Sequence, residues 1–143
     1  MILDKQLQLS DSQALTATAV ATNVIDLGAA RDVFSGEPMC IIMNVESAAD
    51  FTSANETYAF GIETDDNASL SSPTVLSSVT LAASVLTLKS VHIIPIPVAT
   101  MERYLGLRYT LGGTTPLLTV SAHLIPLSQA QKYRLYADGL TIS

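Results

Sequence analysis

Met101-Glu102-Arg103-Tyr104-Leu105-Gly106-Leu107-Arg108-Tyr109-Thr110-Leu111 alternates along its whole length. Met101, Leu105, Leu107, Tyr109 and Leu111 share one parity, interrupted only by Arg103, while Glu102, Tyr104, Gly106, Arg108 and Thr110 share the other. Successive side chains of a strand point to opposite faces, so this period of two marks a strand buried on one side. After Gly112-Gly113-Thr114-Thr115-Pro116 the pattern returns, with Leu118, Val120, Ala122 and Leu124 against Thr119, Ser121 and His123. Two alternating runs around a Gly-rich break read as a β-hairpin.

Similar segments precede it. Residues 22–27, 39–45, 58–63, 74–80, 85–88 and 91–96 all read as strands, separated by Ser, Thr, Gly, Asn and Asp. Pro95 and Pro97 place the last of these at a sheet edge or strand terminus, because proline lacks the N–H that a central strand needs. Helix signals are weak, confined to 12–21 and 128–131. About eight strands at this spacing predict an all-β chain, a single-domain β-sandwich of jelly-roll type spanning 1–143. Leu105, Leu107, Leu111, Leu118, Val120, Leu124, Ile41, Met43, Tyr58, Phe60 and Ile62 are its expected core. Both ends read as extended segments: 1–9 as an N-terminal arm or edge strand, 132–143 as a C-terminal tail.

With 143 residues the chain is long enough for one domain, and such a domain buries roughly 70% of its unfolded surface without disulfide or metal staples. Charged residues are only 14%, against about 25% in ordinary soluble proteins. That deficit suggests a surface covered by a partner or a second copy. Net charge is −6, with eleven acids in residues 1–66 against Lys5 and Arg31. Lys89, Arg103, Arg108, Lys132 and Arg134 gather in 89–134. Such asymmetry reads either as an acidic outer face with a basic docking face or as ordinary scatter. No dense basic stripe serves nucleic acid. No apolar run approaches the roughly 20 residues that cross a bilayer. The N-terminus has no basic region followed by an apolar core, so no signal peptide is expected, and a cytoplasmic origin is.

Chemistry is hard to find. The lone Cys40 sits among Met39, Ile41, Ile42 and Met43, which predicts a buried, inert thiol. His92 and His123 have no second ligand at metal spacing. Asp65-Asp66-Asn67, with Glu63 nearby, offers oxygens for calcium but reads better as a turn. No serine lies in a Gly-x-Ser-x-Gly elbow. The expectation is a protein without catalytic residues, cofactor or metal.

Met1-Ile2-Leu3-Asp4-Lys5-Gln6, the stretch from Ser12-Gln13-Ala14 to Thr22-Asn23-Val24-Ile25-Asp26-Leu27-Gly28, and Gly36-Glu37-Pro38 carry a family likeness. They resemble the capsid cement (decoration) proteins of short-tailed bacteriophages, of the kind described for a Bordetella phage. The likeness extends along most of the chain, including the tail at 132–139. It implies a jelly roll on the outer capsid surface of a virion, made in the host bacterial cytoplasm, typically dimeric, that staples neighbouring major capsid proteins. It brings no catalytic residue with it. A phage tail or baseplate adaptor would share the all-β composition. A carbohydrate-binding sandwich would show more aromatics than the 6% here, none of them Trp.

The partners expected are therefore the major capsid protein and a second copy of the chain, with no nucleic acid and no membrane. Candidate partner-binding residues are Ile2, Leu3 and Lys5 in the arm, Arg103 and Arg108 on the strand, and Tyr133, Arg134 and Tyr136 near the C-terminus, since Tyr and Arg are interface-prone. The same residues read equally as parts of the subunit's own fold or dimer seam. In that case the docking surface falls to the inter-strand loops.

Overall fold

The two alternating runs do form strands, but not a hairpin. A computed structural model describes residues 3–33 and 36–130. Its strands are β1 (Gln8–Leu15), β2 (Ala19–Val20), β3 (Ile25–Asp26), β4 (Arg31–Val33), β5 (Met39–Ser47), β6 (Thr57–Asp65), β7 (Thr74–Leu81), β8 (Val91–Pro95), β9 (Ala99–Met101), β10 (Tyr104–Gly112) and β11 (Leu118–Pro126). One antiparallel sheet runs β1-β11-β5-β8, and the other runs β2-β10-β6-β7 with β3 also on β10. A small ribbon pairs β4 with β9.

β10 and β11 therefore lie in different sheets. Each has both flanks occupied, β10 by β6 on one side and β2 and β3 on the other, β11 by β1 and β5. Alternation reports which face is buried, and is silent on which strand lies alongside. Leu105, Leu107, Tyr109 and Leu111 meet Leu118, Val120, Ala122 and Leu124 in one core between the sheets. The segment 113–117 is an arch between the layers, and Gly113 takes φ +97° within it.

Four passages, this arch among them, complete the winding. β1 to β2, β5 to β6, β7 to β8 and β10 to β11 each carry the chain from one large sheet to the other. All four lie at the same end, as the pairings Leu15 with Leu118, Ser47 with Thr119, Asn44 with Val91 and Thr57 with Gly112 require. Eight main strands in two such sheets are a jelly-roll sandwich.

All eleven residues expected in the core are buried. Phe60 and Tyr109 meet edge to face, with ring centroids 5.9 Å apart, and the Tyr109 hydroxyl is satisfied by Ser10 Oγ at 2.7 Å. A second apolar cluster lies on the outer face of the first sheet, where Cys40, Ile42, Ile125 and Ala130 pack with Leu127. Burial there pushes the Cys40 thiol up to about 11, as an inert structural cysteine requires.

Several local expectations change. Residues 12–21 are the end of β1 and β2, not a helix. The Gln13 side chain ties them together, accepting from Thr22 N and donating to the Val20 carbonyl. Residues 85–88 are turns, closed by Val85 N to Ala82 O and Leu86 N to Ala83 O, with only Leu86 buried. Of 22–27, just β3 is strand. Pro95 ends the edge strand β8, as proline chemistry predicts. Within 1–9, Lys5–Leu7 is a 3-10 turn capped by Asp4, and Gln8 and Leu9 already belong to β1, buried on the fold. Residues 127–130 are helical. No helix among the described residues is long and apolar enough to cross a membrane.

Candidate docking surface

Three of the cations proposed for docking are engaged within the subunit. Arg108 Nε donates to both carboxylate oxygens of Glu63 at 2.9 Å, and its Nη2 donates to the Leu70 carbonyl at 2.9 Å. The loop 66–73 makes this possible by folding Leu70 back over Gly106, where a Cβ would lie 2.5 Å from Leu70 Cδ1. Arg103 stands just before β10, where it breaks the alternation. It grips Asp26 through Nε and Nη2 at 2.9 and 3.0 Å and stacks over Tyr104 at 5.1 Å. That guanidinium holds the Asp26 carboxyl down at about 2. Lys5 pairs with Asp11 at 3.1 Å and also donates to Gln8. Leu3 is part-exposed. Ile2, Tyr133, Arg134 and Tyr136 lie outside the described residues.

The acidic run at 63–67 builds a turn. Asp65 is buried and accepts from Ser72 N and Asn67 N, which lowers its pKa. Asp66 is pushed up by its neighbour Asp65. Glu102 joins this group within 4.8 Å in place of Glu63, which is committed to Arg108. The turn expected from Asx chemistry is what these bonds build.

Four of the seven exposed large apolar side chains among the described residues lie at the end that carries the four inter-sheet passages, with Leu3, Val75 and Val98 outside these loops. Phe51 is 53% exposed in the loop between β5 and β6, Leu88 is 59% exposed with Val85 between β7 and β8, and Leu117 is exposed in the arch to β11. These loops are bound to one another. Asp50 N donates to Leu117 O at 2.9 Å, and Ala49 N to Leu86 O at 3.0 Å. Asn55 and Thr114 exchange two bonds, Nδ2 to Oγ1 at 2.8 Å and N to Oδ1 at 3.1 Å. The Tyr58 hydroxyl is buried beneath them against Asp50 and Leu117. Beside Phe51 a shallow cavity of about 230 Å³ is walled by Tyr58, Leu81, Ala82 and Ala83. Lys89, at φ +66°, is exposed there with no ion-pair partner among the described residues. Thr52 lowers the Asp50 carboxyl by donating to it.

The arrangement is a set of mutually hydrogen-bonded loops with exposed apolar anchors beside Asp50 and Lys89, suited to burial against another protein. Sequence reasoning named the inter-strand loops only as the alternative docking surface and singled out none of these residues, because single apolar residues in loops carry no period. The available signal was Phe51 standing alone in Asp50-Phe51-Thr52-Ser53-Ala54-Asn55, where turn-forming residues leave an aromatic no core to join.

The family model described as Bbp16 matches residues 9–124. The chain belongs to the Bbp16 family. No curated protein matches it. The Bbp16 match begins in β1 and ends in β11, so it spans both sheets and all four inter-sheet loops with Phe51, Val85, Leu88 and Leu117. Arg103 and Arg108 fall inside the Bbp16 region, whereas Ile2, Leu3, Lys5, Tyr133, Arg134 and Tyr136 fall outside it.

Proposed function

We propose that this protein is a structural virion component, a cement subunit that binds the outside of a bacteriophage capsid and staples neighbouring major capsid proteins. It works without catalysis, cofactor or metal. The Bbp16 family name, which points to a Bordetella phage protein, supports the setting. The observation that carries the role is the loop end: exposed Phe51, Val85, Leu88 and Leu117 on hydrogen-bonded loops, while Lys5, Arg103 and Arg108 are spent on internal carboxylates.

Such a surface fits the physics of a cement protein. Genome packing loads a shell from within, and each added subunit resists by burying area across joints between shell proteins. A standard interface buries roughly 800 Å² per partner, and shell symmetry repeats it many times, so each contact need only be moderate. Apolar anchors on preordered loops lose little conformational freedom on docking.

The test is a cryo-electron microscopy map of the intact particle. The reading expects a jelly roll on the outer shell with its inter-sheet loops against the capsid protein. Density for this chain in a tail or baseplate, or none in the particle, overturns it.

A further inference from the structure

We infer that the last thirteen residues, 131–143, fold back over the outer face of the sheet β1-β11-β5-β8 and are the layer that covers it. They lie outside the described residues, so the inference rests on the face that would receive them. Along β5 the side chains turned away from the core are Cys40, Ile42, Asn44 and Glu46, and along β11 they are Ser121, His123 and Ile125. On an antiparallel sheet with one face in water such positions are polar and wet. Here Cys40 and Ile42 have no exposed surface, and Ile125, His123 and Ser121 are buried beside them.

The described residues supply too little cover. Leu127 and Ala130 belong to one helical turn, which is about 6 Å long at roughly 1.5 Å per residue. The buried band on β11 runs from Ile125 to Ser121, about 13 Å of strand. Val91 and Ile93 flank it on β8 and are themselves half-buried. On the β1 side Lys5 is spent on Asp11 and Gln8. One group on the face is also unsatisfied: His123 Nδ1 is buried with no hydrogen-bond partner among the described residues. A buried polar atom left unpaired forfeits its hydration, so native folds pair nearly all of them.

The face selects the chain's own C-terminus as occupant. Leu127 N donates to the Pro38 carbonyl, which ties the turn after β11 to the start of β5. Ala130 is already packed with Cys40, Ile42 and Ile125, so residue 131 starts on the face itself. The segment extends to roughly 43 Å at about 3.3 Å per residue, ample for the buried band. Its chemistry matches what lies below. Tyr133, Leu135, Tyr136, Leu140 and Ile142 bring apolar area for Cys40, Ile42, Ile93 and Ile125. A tyrosine hydroxyl both donates and accepts, so either ring can satisfy His123 Nδ1 in whichever tautomer it holds. Lys132 and Arg134 outnumber the segment's one acid, Asp138. Glu46 awaits them, exposed on the same face with no ion-pair partner among the described residues.

Tyr133, Arg134 and Tyr136 then belong to the subunit's own fold and not to a surface offered to the shell. The inference does not rest on the docking role, and no outcome of its test depends on shell binding.

The test uses the full chain in solution. In a nuclear Overhauser spectrum of the wild type, ring protons of Tyr133 or Tyr136 should show cross-peaks to the methyls of Ile42, Ile93 or Ile125. Mixing two isotope labels separates contacts within a chain from contacts between copies. Cys40, the only cysteine, gives a second readout from beneath the segment. Tyr133→Ser/Leu135→Ser/Tyr136→Ser should speed its reaction with a thiol reagent by about tenfold or more, since a buried thiol reacts only once uncovered, with circular dichroism unchanged. If that variant fails to fold, the wild-type spectrum decides alone. The absence of any cross-peak from 131–143 to this face, cross-peaks only between copies, or a folded variant whose Cys40 reacts at the wild-type rate overturns the inference.

Discussion

Arg108 on β10 and Glu63 on β6 form a fork across adjacent strands, Nε reaching both carboxylate oxygens at 2.9 Å, with Glu63 only 4% exposed. The opposite position in the register to Arg108 is Gly61, and Glu63 lies two residues further along β6. Arg108→Ala removes this partner and leaves a buried carboxylate uncompensated. The expected loss is about 3 kcal/mol in chemical denaturation, with shell binding per folded molecule unchanged. A stability loss too small to measure would show that Glu63 is solvated without it.

Gly113 holds the arch between the sheets. At φ +97° a Cβ there would stand 2.6 Å from both the Asn55 carbonyl oxygen and Glu56 Cα, and backbone cannot retreat as a flexible side chain can. Gly113→Ala should therefore cost about 2 kcal/mol or more. Gly36→Ala, with nothing within 4 Å of its Cβ, is the matched control and should change stability little. Equal melting temperatures for the two variants would contradict this account of the arch.

The core was legible because burial on one face imposes a period of two, and every residue from Ile41 to Leu124 assigned by that rule is buried. Strand neighbours were not legible. A run such as 101–111 followed by a Gly-Gly break and a second run suits a hairpin and a crossing arch equally, and the choice depends on β6, β2 and β3 having taken both flanks of β10. The engagement of Arg103 and Arg108 was hidden for a similar reason. Their partners Asp26 and Glu63 are 77 and 45 residues away in sequence. Turn chemistry at 65–67 was readable because Asp and Asn bond their own backbone, a purely local event.

Stability should fall on mild acidification. Burial lowers the His92 and His123 pKa values below the ordinary 6.5, with Lys5 adding to the effect at His123 and Asp11 opposing it. The unfolded chain then binds more protons than the folded one, so stability is complete above about pH 6.5 and drains as pH falls through that value toward the lower folded pKa values. Denaturation midpoints between about pH 7.5 and 5.5 should decline, and the slope should flatten in a His92→Asn/His123→Asn variant. A midpoint that rises over this interval would contradict the direction.

The central claim is that the platform of inter-sheet loops docks the shell, and rebinding to capsids stripped of this protein tests it most directly. Phe51→Ser/Leu88→Ser changes two exposed side chains, so the melting temperature should hold while occupancy on the shell falls and its added heat resistance is lost. Arg103→Ala, which breaks a surface pair with Asp26 and a stack over Tyr104, should rebind like wild type. Full occupancy by the Phe51→Ser/Leu88→Ser protein, with the shell protected as before, would contradict the account.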